Sequence, residues 1–107
     1  MKRMMTPLPD PEVERLARAL GVTRARVEVL RIALERGEVT ATELMAEIDI
    51  SRSGLQRHLT TLTEEGLLSE RHATHPRGRG PVIYWATNRT ETERVLESFA
   101  RHILGTP

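Results

Sequence analysis

Apolar residues recur along this chain at two spacings, and the change from one to the other locates its elements. Val13, Leu16, Ala17 and Leu20 form a single stripe at helical intervals. Asp10 can cap that helix, with Pro11 at its first position, Glu12 and Glu14 at the positive end of the dipole, and Gly21 as its stop. Thr23 opens a second helix that ends at Gly37. Its Val27, Val29, Leu30, Ile32, Ala33 and Leu34 cover more than one face, which predicts a central helix covered on several sides. Thr40 and Glu43 form a capping box for a third helix that turns Leu44, Met45 and Ile48 inward. Ser51 caps a fourth over 51–65, in which Leu55, Leu59 and Leu62 keep helical spacing and Gly66 closes the run.

Beyond Gly66 the pattern changes. Residues 68–73 and 82–87 read as short strands, antiparallel because the link between them is short. Thr90 and Glu93 form a second capping box, predicting a last helix over about 90–104 before Gly105. Its Val95, Leu96, Phe99, Ala100, Ile103 and Leu104 again exceed one narrow stripe. Residues 1–9 read as a flexible arm and 10–107 as one domain. The predicted fold is mainly α with a small β-wing, in the order ααααββα.

A chain of 107 residues has room for one modest core. Tyr84, Trp85 and Phe99 are its only aromatics, so that core is built from Leu, Ile, Val, Ala and Met. No apolar run approaches the ~20 residues of a membrane span, and the N-terminus lacks the apolar middle of a secretory signal. Without cysteine there is no disulfide framework and no thiolate metal site. These features predict a cytoplasmic protein. The net charge of +1 says little, but its distribution says more. Residues 37–50 carry four acids and no base, whereas 51–80 carry five arginines against Glu64, Glu65 and Glu70.

That basic stretch contains the candidate chemistry. Two short helices joined by a tight turn, the second polar and basic near its start, are how a helix-turn-helix presents a probe to the major groove. The segment HATHPRGRGP between two strand-like runs has the Arg/Gly/Pro tip expected of a wing. The predicted partner is double-stranded DNA. On a helix entering by its N-terminal half, Arg52, Ser53, Gln56 and Arg57 are exposed and within reach. Arg pairs bidentately with guanine and Gln with adenine, so Gln56 and Arg52 are the first choices for reading bases. Ser51 suits a phosphate, or serves as a plain N-cap. Arg77 and Arg79 can flank the tip of a wing over 74–81 and enter the minor groove or straddle a phosphate. Thr42 and Arg71 are lesser phosphate candidates.

With these residues in place, the chain resembles the bacterial winged-helix regulators of the ArsR/MarR superfamily, and ArsR-type repressors most. The matching residues are Glu43-Leu44, Ile48, Ile50-Ser51, Arg57-His58-Leu59, Leu62, Glu65-Gly66-Leu67-Leu68, the wing Arg77-Gly78-Arg79-Gly80, and Tyr84. They fall within roughly residues 20–90. The resemblance implies a homodimeric repressor on a palindromic operator, with the first and last helices forming the dimer interface through Val95, Leu96, Phe99 and Ile103. Three positions depart from the family pattern. Asp49 replaces the usual turn Gly, and Asp tolerates a left-handed backbone better than most residues. Met45 replaces a small Ala, which implies looser packing between the third and fourth helices. Gly54 replaces a β-branched residue in the first turn of the recognition helix, either to let DNA approach closely or as a tolerated cost.

No metal or cofactor is predicted. Glu97 and His102 are five apart and share a helix face poorly, and His72 and His75 lie on a strand and the wing base. No Gly-rich phosphate loop, nucleophile–base motif or paired carboxylates point to an enzyme. The sequence names no small-molecule effector. Two other classes fit the same fold: a DNA-bending accessory factor of a mobile element, of excisionase or partition type, and a winged-helix protein-interaction module. The exposed Arg/Gln set and the basic wing favour the regulator over the module.

Overall fold

A computed structural model describes residues 11–75, 77, 78 and 80–105. The expected N-terminal arm, the Asp10 cap and Arg79 lie outside the described residues. Five helices and one hairpin follow one another as α1 (Pro11–Leu20), α2 (Arg24–Arg36), α3 (Ala41–Glu47), α4 (Arg52–Glu64), β1 (Leu68–Thr74), β2 (Pro81–Thr87) and α5 (Arg89–Leu104). This is the predicted ααααββα order. Each strand gains one residue at the wing end over its expected limits.

Local chemistry sets most of the boundaries. Thr23 accepts a hydrogen bond from the Arg26 amide at 3.3 Å and starts α2. The Thr40–Glu43 box is reciprocal: the Glu43 amide donates to Thr40 Oγ1 at 3.2 Å, and the Thr40 amide donates to Glu43 Oε1 at 2.8 Å. Ser51 Oγ accepts from the Gly54 amide at 3.1 Å and starts α4. At the other end of α4, the Leu67 amide donates to the Leu62 carbonyl at 2.9 Å and the Gly66 amide to Thr63 at 3.1 Å. That pair of bonds needs a left-handed residue at the helix exit, and Gly66 supplies it with φ 80°.

Two local expectations are corrected. The last helix is capped by Asn88, whose side chain accepts from the Glu91 amide at 3.1 Å, and it begins at Arg89 instead of relying on a Thr90–Glu93 box. Asn is the stronger cap, and the Asn88 amide is already anchored on the Leu67 carbonyl at 2.9 Å. Asp49 does not take a left-handed conformation, since every positive φ among the described residues belongs to glycine. The α3–α4 link instead leaves the helix through an extended Ile48, φ −116° and ψ 129°. Extended backbone imposes no demand for Gly at the next position.

The core lies between α2, α3, α4 and the hairpin. Val29, Val39, Leu44, Ile48, Leu55 and Leu59 are fully enclosed, with Trp85 closing the sheet side. Burying each such aliphatic side chain contributes about 1.5–3 kcal/mol. Met45 packs against this cluster while remaining partly exposed. β1 and β2 pair antiparallel from Leu68 opposite Thr87 to Thr74 opposite Pro81. A third contact, unannounced by the sequence pattern, joins the hairpin to the α2–α3 link. Val39 and Trp85 exchange both backbone hydrogen bonds, at 3.0 and 2.8 Å. The hairpin is therefore held to the helical body at its base.

The outer helices differ. In α1 only Ala17 is buried, and Val13, Leu16 and Leu20 are exposed. In α5 no residue is buried at all, and Leu96, Phe99, Ile103 and Leu104 stand 49–81 % exposed. The central α2 is covered along Ala25, Val29, Ile32 and Ala33, but its Leu34 is exposed.

Candidate nucleic-acid interface

The buried side of α4 carries Gly54, Leu55, Leu59 and Leu62. The 3.6-residue period then places Arg52, Ser53, Gln56, Arg57 and Thr60 outward, and all five are exposed. Gln56 donates to Thr60 Oγ1 at 3.3 Å along the helix. It separates two grooves. One is lined by Thr42, Arg52, Pro81, Val82 and Ile83, and so connects the recognition helix with the hairpin. The other is lined by Arg26, Ser53, Arg57, Thr60 and Thr61, on the α2 side. Ser51 is occupied as the N-cap, with Ser53 Oγ 3.4 Å away. At the tip, Arg77 is exposed, and its amide donates to His75 Nδ1 at 3.2 Å.

Gly54 has a structural role. A Cβ at this position would lie 3.1 Å from Ser51 Oγ and 3.2 Å from Ile50 Cγ1. The glycine is buried beneath the α3–α4 link, on the opposite side from the exposed residues. It is neither an opening for DNA nor a passive cost; it lets the link close over α4.

Ion pairing distinguishes the arginines. Arg15, Arg18, Arg31, Arg36, Arg71, Arg89 and Arg94 each pair with a glutamate. Among the described residues, Arg52 and Arg57 of α4, Arg77 of the wing, Arg26 of α2 and Arg101 of α5 pair with no carboxylate. The acid-rich stretch before α4 explains part of this contrast, because Glu38 is taken by Arg71 and Glu47 by Arg36. Arg71, a lesser phosphate candidate, is thus already engaged within the chain. Its guanidinium grips Glu38 through two bonds of 2.8 and 2.9 Å and stacks on the Tyr84 ring at 4.5 Å. That bond holds the Glu38 carboxyl below its ordinary pKa and raises Arg71.

Sequence reasoning missed one more cation beside α4. Arg26 of α2 donates its Nε–H to His58 Nδ1 at 2.9 Å, across 32 residues of chain. The bond requires His58 Nδ1 to be unprotonated. Burial first, and then the charges of Arg26 and Arg57, keep the imidazole pKa below its ordinary value. The only sequence-level sign was the placement of Arg24 and Arg26 in the first turn of α2, the end of a helix that disfavours cations. Among the described residues no cluster of three His, Asp or Glu could hold a metal ion, and no helix is long and apolar enough to cross a membrane.

An exposed basic helix, a preceding helix set by an extended link, and a two-stranded hairpin alongside define a winged helix-turn-helix. Residues 23–70 match the family model described as bacterial regulatory protein, arsR family. The chain is 29 % identical over 79 residues to Transcription factor E from two Saccharolobus islandicus strains, Y.N.15.51 and L.S.2.15. Each match covers 73 % of this chain, and it covers 45 % and 44 % of the two relatives. The chain thus spans less than half the length of those proteins. A solved structure titled "Possible transcriptional regulator from Methanosarcina mazei Go1" superposes with a TM-score of 0.60 at 20 % identity, covering 96 % of this chain and 92 % of its own. That likeness is one of fold. The fold is that of a winged helix-turn-helix, and over residues 23–70 the chain is similar to DNA-binding regulators of the arsR family.

Proposed function

We propose that this chain is a homodimeric repressor that reads a palindromic operator. α4 enters the major groove, where Gln56 and Arg52 read base edges and Ser51, Ser53 and Arg57 secure the strand beside them. The wing lies on the backbone or in the minor groove through Arg77 and Arg79. The observation that carries this reading is the distribution of unpaired cations among the described residues: most arginines outside the interface pair with glutamates, whereas Arg52 and Arg57 on α4 and Arg77 at the wing do not. Dimerisation is supported by the exposed apolar faces of α1 and α5, where Leu96, Phe99 and Ile103 are exposed and Val95 is only partly covered within the chain. One domain over 10–107 then contains both the reader and the dimer contact.

Selection from random duplex DNA tests the proposal. Enrichment of an inverted repeat with half-site centres about 34 Å apart is the expected result. Direct repeats would indicate the accessory-factor reading. Weak binding without enrichment would count against a sequence reader. With the operator known, placing it over a reporter promoter separates repression from activation.

A further inference from the structure

We propose that Arg26, positioned by His58, forms with Arg57 a second backbone-phosphate site on the α2 side of the recognition helix. The inference rests on α4 docking against DNA, and it adds a contact made from outside the helix-turn-helix and the wing. Arg26 stands in the first turn of α2, where the dipole makes a cation unfavourable, and no acid accompanies it there. Among the described residues it has no carboxylate partner. Its one side-chain bond is the 2.9 Å Nε–H donation to His58 Nδ1.

That bond leaves the two terminal NH2 groups of the guanidinium available. A guanidinium held through Nε has lost part of its side-chain entropy, so less is lost when it binds an anion. Arg26, Arg57, Ser53 and Thr60 line a single open groove beside Gln56. Two cations and two hydroxyls beside a base-reading position match a phosphodiester, which accepts bidentate N–H donation from Arg. The other groove flanking Gln56 leads toward the wing. A phosphate on the α2 side would fasten the opposite edge of α4, so the helix is gripped on both sides of the groove it enters. His58 is a positioning residue here, because it acts through Arg26.

Titration of a mixed-sequence duplex of about 30 base pairs at several salt concentrations tests this. Arg26→Ala is expected to weaken binding about tenfold at low salt, as for loss of a charged hydrogen bond. It should also reduce the slope of log K against log salt by about 0.9, as for loss of one neutralised phosphate. Arg36→Ala, on the same helix about 15 Å further along, removes an equal charge that is spent on Glu47 and should leave the slope unchanged. His58→Leu should reproduce part of the Arg26→Ala loss in wild type and add little once Arg26 is already Ala. Arg26→Ala with wild-type affinity and slope overturns this site while leaving the DNA reader intact. A wild-type protein that shows no salt-dependent binding overturns both. Equal losses in Arg26→Ala and Arg36→Ala reduce the effect to general charge and also reject the site.

Discussion

Gly54 fills a position where most helices would gain from almost any other residue. Ala is favoured over Gly by up to about 1 kcal/mol in a helix interior, and that gain shrinks near an end. Against it stand two close contacts, Ser51 Oγ at 3.1 Å and Ile50 Cγ1 at 3.2 Å, from residues that close the link over α4. Ser51 cannot move freely, because it caps the helix through the Gly54 amide itself. Overpacking of this kind costs roughly 1–3 kcal/mol. Gly54→Ala is therefore expected to lower stability by about 1 kcal/mol in urea unfolding; a raised midpoint would show that the link yields. His58 carries a different signature. Its folded pKa is depressed, so in a window below about 6.5 the unfolded chain binds the proton that the folded chain resists. Stability from this group is present above that range and is lost as pH falls through it. Comparing urea midpoints at pH 7.5 and 5.5, His58→Gln should lose less than wild type, whereas parallel losses would clear His58 of the effect.

At the scale of elements, the hairpin has a fixed base and an exposed tip. Val39 and Trp85 join it to the α2–α3 link, and Arg71 ties β1 to Glu38 in the same link. Arg77 beyond them has no carboxylate to hold it among the described residues. Arg77→Ala should weaken binding evenly across DNA sequences and flatten its salt dependence, leaving the fold intact by circular dichroism. Gln56→Ala should instead relax preference at one base position, read by repeating the selection with that variant. Elements of this kind are the level most legible from sequence. Thr23, Thr40 and Ser51 announce their helices because a cap and its amide are three residues apart, and no distant partner is required. The last helix was placed to within a residue but its cap was misassigned, because Asn88 is doubly used: its amide closes the end of the sheet while its side chain opens the helix. The glycine at 54 was misread for a related reason, since its neighbours are set by the path of the link and not by helix propensity.

Across the whole molecule, what stayed illegible is what the chain brings together from far apart. The Arg26–His58 and Glu38–Arg71 pairs span 32 and 33 residues, and no periodicity encodes them. The exposed face of α5 shows the reverse case. Its apolar set was legible, and its lack of cover needed the tertiary structure. Leu96→Glu combined with Phe99→Glu should turn a dimer into a monomer by light scattering at micromolar concentration without loss of helix, because neither side chain is buried in the single chain. A variant that stays dimeric would move the interface elsewhere. One consequence of the arginine pairing concerns how such a molecule meets DNA. A net charge of +1 gives it little pull toward a polyanion as a whole. Yet Arg52 and Arg57 stand in the first half of α4, and Glu64 and Glu65 at its far end. DNA therefore exerts on it a torque more than a tug. With a Debye length of about 8 Å at physiological salt, that torque acts only in the last nanometre of approach. Salt should thus change the fraction of collisions that begin the right way round more than it changes how often collisions occur.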